Sequence, residues 1–326
     1  MHLKAVFSGA IAVTGLVVLV WVLKPPSHAE PLRLLSSNQC LECHAGVAAE
    51  WQQSHHQFAF ENPEVRKLSN DFANQECIAC HAPRPVLSFQ PGERVLARQS
   101  ERALGVDCLT CHAHPEGGVG TKNPSAKLDA PCRPRYSARM ASVEHCAACH
   151  NQHKTVEQWR AAPAALQNNC CIDCHMPTNF RQGGRQGRNH AFPASHDLAA
   201  LQSAVEMKVG RNAEGAWVSV YNHGAGHNFP TDERSRAADL QVRWAGADGS
   251  WGTWLAVHRF RDPYRDETDL VNTQLPAGAT EQFILPLADG MENSDTQTAE
   301  VRLLYRTNPY MPDDEAQELV RLVLQS

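Results

Sequence analysis

One short pattern occurs five times in this chain: two cysteines separated by two residues and followed at once by a histidine. The copies are Cys40–His44, Cys77–His81, Cys108–His112, Cys146–His150 and Cys171–His175, and they begin 25 to 38 residues apart. The sequences between them share no apolar template, so the pattern repeats a set of ligands and not the structural unit of a solenoid. Whatever these residues bind must be enclosed by the chain around them.

The spacing is typical of covalent haem c attachment. Each thiol adds to a vinyl group of the porphyrin, and two intervening residues match the separation of the two vinyl groups. The histidine that follows then lies under the iron as its proximal ligand. A structural zinc site needs four converging ligands, and a thioredoxin-like dithiol needs no histidine, so neither explains the same histidine five times.

We therefore predict five covalently attached haem c groups. The thioether bonds are expected at Cys40, Cys43, Cys77, Cys80, Cys108, Cys111, Cys146, Cys149, Cys171 and Cys174. The proximal iron ligands are expected to be His44, His81, His112, His150 and His175.

Two of the twelve cysteines, Cys132 and Cys170, lie outside these motifs. In an oxidising compartment the favoured interpretation is a structural disulfide between them. Free thiols are the alternative. A wider attachment motif that uses Cys170 in place of Cys171 is less favoured still.

The second axial ligand of each iron must come from elsewhere in the chain. Of 17 histidines, five are proximal, and His2 and His28 lie in the amino-terminal leader. The ten candidates that remain are His55, His56, His114, His145, His153, His190, His196, His223, His227 and His258. Only six methionines are present, including Met1, so the supply favours bis-histidine ligation and lower reduction potentials.

The amino terminus directs the chain out of the cytoplasm. Lys4 precedes an apolar run from Ala5 to Leu23, which stops at Lys24-Pro25-Pro26. Ser27-His28-Ala29 fits a cleavage site, which predicts that residues 1–29 are a signal peptide. The run is also long enough to cross a bilayer as an uncleaved anchor. Both alternatives place the remainder in the periplasm or on the outer side of the cytoplasmic membrane, and haem c attachment takes place on that side.

Residues 30–200 hold all five motifs but few long periodic segments. Ala45–His56, Pro63–Ala73 and Thr155–Leu166 have the pattern of helices. We expect an α-rich, low-regularity multihaem cytochrome c domain whose core is formed mostly by the porphyrins.

Residues 201–310 have a different character, because short alternating or β-branched segments are separated by turn signals. The predicted strands are Ala204–Val209, Ala216–Tyr221, Leu240–Trp244, Leu255–Phe260, Gln282–Leu287 and Glu300–Tyr305. They favour an all-β, sandwich-like domain. Pro312–Glu315, rich in acidic residues, then predicts the start of a C-terminal helix within residues 311–326.

Several linked stretches resemble multihaem cytochromes c of the cytochrome c-554 type, and the likeness covers most of residues 36–306. Trp51-Gln-Gln-Ser54-His-His56 is similar to a family motif, W-x-x-S-x-H, whose histidine is a distal ligand. Gly105-Val-Asp-Cys108 and Cys174-His-Met-Pro177 are also familiar in the family. The resemblance thus implies that His56 is a distal ligand.

Two further stretches extend the resemblance. Asn189–Asp197 is similar to the two-histidine stretch that follows the last motif, with Ala194 in place of a common glycine. Gly226–Thr231 resembles the G-H-x-F-P-T-G signature that opens the β-domain, with Asp232 in place of the final glycine. It implies that His227 reaches across the domain boundary to an iron, with His223 as the alternative. The predicted distal set is therefore His56, His114, His190, His196 and His227.

The leading functional hypothesis is electron transfer between a redox-protein donor and acceptor, because irons with two histidines have no place for a substrate. An uncleaved anchor favours a membrane quinol-oxidising complex as one partner. A net charge of −5 gives no basic surface for nucleic acid.

Two alternatives stay open. In the first, the chain is an oxidoreductase that acts on a small nitrogen or sulfur compound at one open haem, as some relatives do. The sequence alone leaves open whether it is an enzyme. It contains no C-x-x-C-K motif, the attachment marker of the cytochrome c nitrite reductases. In the other alternative the β-domain is a docking module.

Overall fold

The computed structural model describes residues 34–123, 129–181, 184–231, 235–264, 266–294 and 296–325. The predicted leader, with its apolar run Ala5–Leu23, lies outside these residues, and so does Asp232. Within the described residues, no helix has both the length and the apolar character needed to cross a membrane.

The half of the chain that carries the motifs is built from short helices joined by turns. The α-helices before residue 200 are Asn38–Leu41, Ala45–Trp51, His55–Phe58, Pro63–Leu68, Ile78–His81, Cys108–His112, Val143–His150, Thr155–Ala161, Ala164–Gln167 and Cys171–His175. Short 3-10 turns cover Gln75–Cys77, Val86–Ser88, Arg102–Leu104 and Ala138–Ala141.

Four short strands interrupt these helices. β1 (Val119–Thr121) pairs in parallel with β2 (Pro134–Tyr136), and β3 (Thr178–Phe180) pairs antiparallel with β4 (Gln186–Arg188). The expected α-rich character is therefore only partly met, because small sheets occur between the motifs as well as after them.

The three predicted helices exist but are shorter than expected, for local reasons. The first breaks before Ser54, which is extended and whose hydroxyl accepts the N–H of Gln57 as the cap of a new helix. The second ends at Leu68, and residues 70–72 then take left-handed φ angles. The third divides at Pro163, which has no N–H to continue a helix.

The second half is formed by two antiparallel sheets, entered through the helix Leu198–Ala204. The strands are β5 (Val205–Asn212), β6 (Gly215–Asn222), β7 (Ala237–Trp244), β8 (Leu255–Phe260), β9 (Thr280–Ile284), β10 (Ala299–Arg306) and β11 (Gln317–Leu324). One sheet has the order β11-β10-β7-β8 and the other β5-β6-β9. All six predicted strands are present.

Alternating side chains from both sheets make one shared core. Val218 and Val220 of β6 are fully buried with Leu240 of β7 and Val301 of β10. The burial of alternate residues is what the period-two pattern predicted, and it accounts for the packing of one sheet on the other.

The predicted C-terminal helix is wrong: residues 317–324 form strand β11, which pairs antiparallel with β10. Leu319 and Leu324 are buried in the shared core. The acidic residues before the strand do not cap a helix. Instead, Asp313 forms ion pairs with Arg302, at 2.5 Å, and with Arg306 of β10.

The predicted Cys132–Cys170 disulfide is also wrong, because both residues are free thiols. The Cys170 thiol donates to the carbonyl oxygen of Ala141 at 3.3 Å. Cys132 instead lies close enough to Cys40 to affect the pKa of that thiol. The two cysteines therefore belong to different surroundings.

Candidate functional site

The attachment motifs lie on short helical turns, except that in Cys40–His44 the helix ends at Leu41. Four of them end a helix at their histidine: Ile78–His81, Cys108–His112, Val143–His150 and Cys171–His175. Residues three apart on a helix share a face, so the two thiols of a motif point to the same side. This is the arrangement that two thioether bonds to one porphyrin require.

Three of the five proximal histidines are oriented by backbone carbonyls. Nδ1 of His81 donates to Ala59 at 2.6 Å, that of His112 to Gly120 of β1 at 2.9 Å, and that of His175 to Pro193 at 2.9 Å. A proton on Nδ1 puts the ring's lone pair on Nε2, the nitrogen that would bind iron.

Three proximal histidines each face a second imidazole. The ring centroids are 6.3 Å apart for His112 and His190, 6.2 Å for His175 and His227, and 6.0 Å for His150 and His56. A bond from a histidine nitrogen to a metal is about 2 Å long, and the centroid lies about 1.1 Å behind that nitrogen. Two imidazoles on opposite sides of one ion therefore have centroids about 6.2 Å apart. All three pairs have the spacing of a shared metal ion.

The distal members of two pairs are oriented in the same way as the proximal ones. Nδ1 of His190 donates to the carbonyl oxygen of Arg188 at 2.9 Å, and Nδ1 of His227 to that of Asn228 at 3.0 Å. Burial is the main cause that lowers the pKa of His190 to about 4, and the neighbouring His112 lowers it further. The ring is thus neutral, as a metal ligand must be.

The position of His56 depends on the stretch before the third motif. The indole N–H of Trp51 donates to Val106 at 2.9 Å, and the N–H of Val106 donates to the carbonyl oxygen of His56 at 2.8 Å. Gly105 has φ +60°, and a Cβ there would lie 2.3 Å from that same carbonyl oxygen. The two resembling stretches, Trp51–His56 and Gly105–Cys108, are thus bonded to each other.

The third motif is held by a buried cap. The Asp107 carboxylate accepts the N–H of Thr110 at 2.9 Å, which closes the start of the helix Cys108–His112. Arg98 forms an ion pair with Asp107 at 2.9 Å, with only 4% of the Asp107 side chain exposed. Arg98 also donates to the carbonyl oxygen of Gly105 at 2.8 Å, so one guanidinium fixes both the loop and the helix.

Thiols of different motifs lie next to each other. A hydrogen bond with Cys108 is the main cause that raises the pKa of Cys40, and one with Cys80 does the same for the pKa of Cys149. A third bond, between Cys146 and Cys171, raises the pKa of the latter. The first motif therefore adjoins the third, and the fourth adjoins both the second and the fifth.

The loop that carries His227 is bonded to the half of the chain that carries the motifs. Gln158 of the helix Thr155–Ala161 accepts the N–H of Asn228 at 3.3 Å and donates to Gln274 at 3.2 Å. The carbonyl oxygen of His227 accepts the side-chain amide of Asn222, the last residue of β6, at 2.9 Å. The two halves thus meet where His227 faces His175.

Not every predicted ligand enters such a pair. Nδ1 of His114 accepts the N–H of Glu116 at 3.3 Å, and His196 stacks on His55 with ring centroids 3.6 Å apart, in direct contact. Proximal His44 and His81 belong to none of the three pairs described above.

His145 lies outside the predicted distal set but has the buried surroundings of a candidate ligand. Both of its ring nitrogens are buried without a hydrogen-bond partner, as is Nδ1 of His153. Buried polar atoms without a partner are rare in folded chains. Here they fit a region that encloses a cofactor. The position of His145, directly before Cys146, was the available signal.

Two of the comparisons with known proteins give matches. Residues 39–113, which include the first three motifs, match the family model described as "Cytochrome c554 and c-prime". The fold is similar to that of a penta-heme cytochrome c552 from Thermochromatium tepidum, with a TM-score of 0.65 and 17% sequence identity. This match covers 90% of the present chain and 100% of the other. A comparison with curated proteins gives no match.

Proposed function

We propose that this chain is a multihaem cytochrome c of the cytochrome c-554 type, which binds five haem c groups and passes electrons between redox proteins. Covalent haem c agrees with the family match and with the shared fold, and the number five follows from the motifs. A bound haem supplies a one-electron couple at its iron. The residues of this chain hold, orient and separate these groups.

The three imidazole pairs are the observation that carries the proposal. Their centroid spacing of 6.0 to 6.3 Å suits one ion between two nitrogens. An iron held by two histidines has no coordination position for a substrate, so such centres are suited to electron transfer.

The contacts between thiols support a route for the electrons. Cys40 meets Cys108, Cys80 meets Cys149, and Cys146 meets Cys171. Cys111 of the third motif also lies near Cys149 of the fourth. We propose that electrons move between the first and third haems and from the third to the fourth, which also exchanges with the second and the fifth.

The predicted leader supports a location outside the cytoplasm, and whether it is retained as an anchor bears on the choice of donor. We propose that the protein acts in the periplasm or on the outer face of the cytoplasmic membrane, where thiols are joined to haem. A redox-protein donor and acceptor are its proposed partners. A membrane quinol-oxidising complex is the donor if residues 5–23 are retained as an anchor.

One observation favours a second candidate function. His44 and His81 are absent from the three pairs, so an open iron, if present, belongs to one of these two motifs. The ring of Phe72, only 2% exposed, lies 5.4 Å from that of His81. An open site there would serve the alternative hypothesis, the reduction or oxidation of a small nitrogen or sulfur compound.

Low-temperature electron paramagnetic resonance of the purified, oxidised protein tests the proposal, combined with its intact mass. Electron transfer predicts a mass gain of five haems and low-spin bis-histidine signals only. A high-spin signal that changes on addition of nitrite, hydroxylamine or cyanide would instead favour the enzyme. A mass gain other than five haems would overturn the proposed cofactor content.

A further inference from the structure

One short segment, Arg188–Pro193, contacts imidazoles of all three pairs. The carbonyl oxygen of Arg188 accepts Nδ1–H of His190, and the carbonyl oxygen of Pro193 accepts Nδ1–H of His175, both at 2.9 Å. The ring of Phe192 lies edge-on to that of His56, with centroids 4.3 Å apart, and 5.9 Å from that of His190. A shift of this segment therefore displaces ligands at three irons together.

The segment is held in an unfavourable conformation. Phe192 has φ +52°, a left-handed value that is rare for a bulky residue. Such a conformation persists only where the surroundings fix it firmly.

A largely buried ion pair between Glu50 and Arg181 contacts the backbone of this segment. Oε2 of Glu50 accepts the backbone N–H of His190 at 3.0 Å, and the carboxylate also accepts from Arg181 at 2.7 Å and from Asn179 at 2.6 Å. The side chains of Glu50 and Arg181 are only 15% and 20% exposed. Glu50 belongs to the helix Ala45–Trp51, just before the Trp51–His56 stretch.

Arg181 contacts the other end of the same short stretch. It donates to the carbonyl oxygen of Arg188 at 2.6 Å, the atom that also accepts from His190. The ion pair therefore holds the backbone around His190 at two points: Glu50 accepts the N–H of His190, and Arg181 donates to the carbonyl oxygen of Arg188. Its geometry is that of an anchor for His190.

We infer that Glu50 and Arg181 are positioning residues for the His190 ligand and that their opposite charges set the reduction potential of the iron between His112 and His190. The inference rests on the proposed haem ligation. A charge held beside an imidazole ligand acts through a medium of low dielectric constant, so it is felt more strongly than a charge in water.

The two partners have opposite effects. Loss of the Glu50 charge leaves the Arg181 cation uncompensated, and a nearby cation disfavours the ferric state, so the potential rises. Loss of the Arg181 charge leaves the Glu50 anion, so the potential falls. A merely structural ion pair predicts no such change of sign.

The experiment uses the full, haem-loaded chain with Glu50→Gln, Arg181→Gln and the double variant. Glu300→Gln is the matched control, because Glu300 pairs with Arg243 at 2.5 Å with 13% and 23% exposure, but on the sheet formed by β7 and β10. Potentiometry followed by electron paramagnetic resonance reports the potential and the g values of each low-spin centre.

We expect one centre to shift upward in Glu50→Gln and downward in Arg181→Gln, with altered g values, and no shift in the control. In the double variant the potential returns toward that of the wild type while the altered g values remain. If a single variant fails to incorporate haem, the double variant still tests the inference through its g values.

Equal potentials and g values in all variants would overturn the inference while leaving the proposed function intact. Shifts of the same sign in both single variants would overturn the electrostatic part. Absence of low-spin bis-histidine signals in the wild type would instead count against the proposed function itself.

Discussion

Substitution of Gly105 by alanine tests whether the loop before the third motif holds the distal ligand His56. An alanine Cβ would lie 2.3 Å from the carbonyl oxygen of His56 and 2.4 Å from that of Gln57, and both are backbone atoms. The φ angle of +60° adds strain for any residue with a side chain. The local change is thus transmitted directly to the backbone of a proposed ligand.

The magnitude follows from two costs. Backbone strain at such a position is about 1–3 kcal/mol, and an overpacked contact adds about 1–3 kcal/mol. We expect Gly105→Ala to lower the free energy of unfolding by about 2–6 kcal/mol unless the loop moves away. Movement of the loop breaks the hydrogen bond from Val106 to His56, so one low-spin centre is expected to change its g values or to become high-spin.

Gly46→Ala is the matched control. Gly46 lies in the helix Ala45–Trp51, and a Cβ there meets nothing within 4 Å. Alanine should stabilise that helix by about 0.5–1 kcal/mol. Chemical unfolding and electron paramagnetic resonance of both haem-loaded variants provide the assay. A Gly105→Ala protein with the stability and spectra of the wild type would refute the argument.

Five further substitutions test the candidate ligands and the cap of the third motif. His227→Ala is expected to remove the low-spin signal of one centre, whereas His223→Ala leaves all signals intact; the reverse result would make His223 the ligand. His190→Ala is expected to change the optical and resonance spectra, whereas His196→Ala, which removes the stacking on His55 and a polar contact with Arg236, should not; equal losses in both would contradict the pairing. Asp107→Ala removes a helix cap and leaves Arg98 without its carboxylate, so the free energy of unfolding should fall by about 3–5 kcal/mol; a loss below about 1 kcal/mol, as for a surface pair, would contradict the buried role.

The strands were predictable because short alternating or β-branched segments are separated by turn signals, and in β6 and β9 the observed burial alternates as well. Leu255–Phe260 coincides with the predicted limits, and the other five predicted strands differ from the observed ones only at their ends. The last strand was not predicted. The acidic residues that precede it resemble the start of a helix. Only the three-dimensional structure shows that Asp313 forms ion pairs with Arg302 and Arg306 of the neighbouring strand.

The attachment motifs are readable from sequence because their ligands are adjacent in the chain. The distal partners are not adjacent: His190 meets His112, and His227 meets His175, only through the fold. The resemblance singled out His56, His190 and His227, which the structure places opposite proximal histidines, and also His196, which it places against His55. Which iron each histidine faces depends on contacts such as that between Val106 and His56, which no local pattern encodes.

The remaining features of the site also depend on contacts between residues that are far apart in the sequence. Glu50 has no distinguishing pattern in the sequence, yet its carboxylate accepts the N–H of His190. The free thiols of Cys132 and Cys170 show the converse, because an even number of spare cysteines suggested a bond that the structure does not contain. Such errors come from geometry that composition cannot supply.

Anomalous diffraction at the iron absorption edge, from crystals of the haem-loaded protein, tests the central claim most directly. Five iron peaks are expected, three of them midway between the rings of His112 and His190, His175 and His227, and His150 and His56. Absence of an iron peak between the rings of any one of these three pairs, or a different side chain opposite any of these proximal histidines, would contradict it.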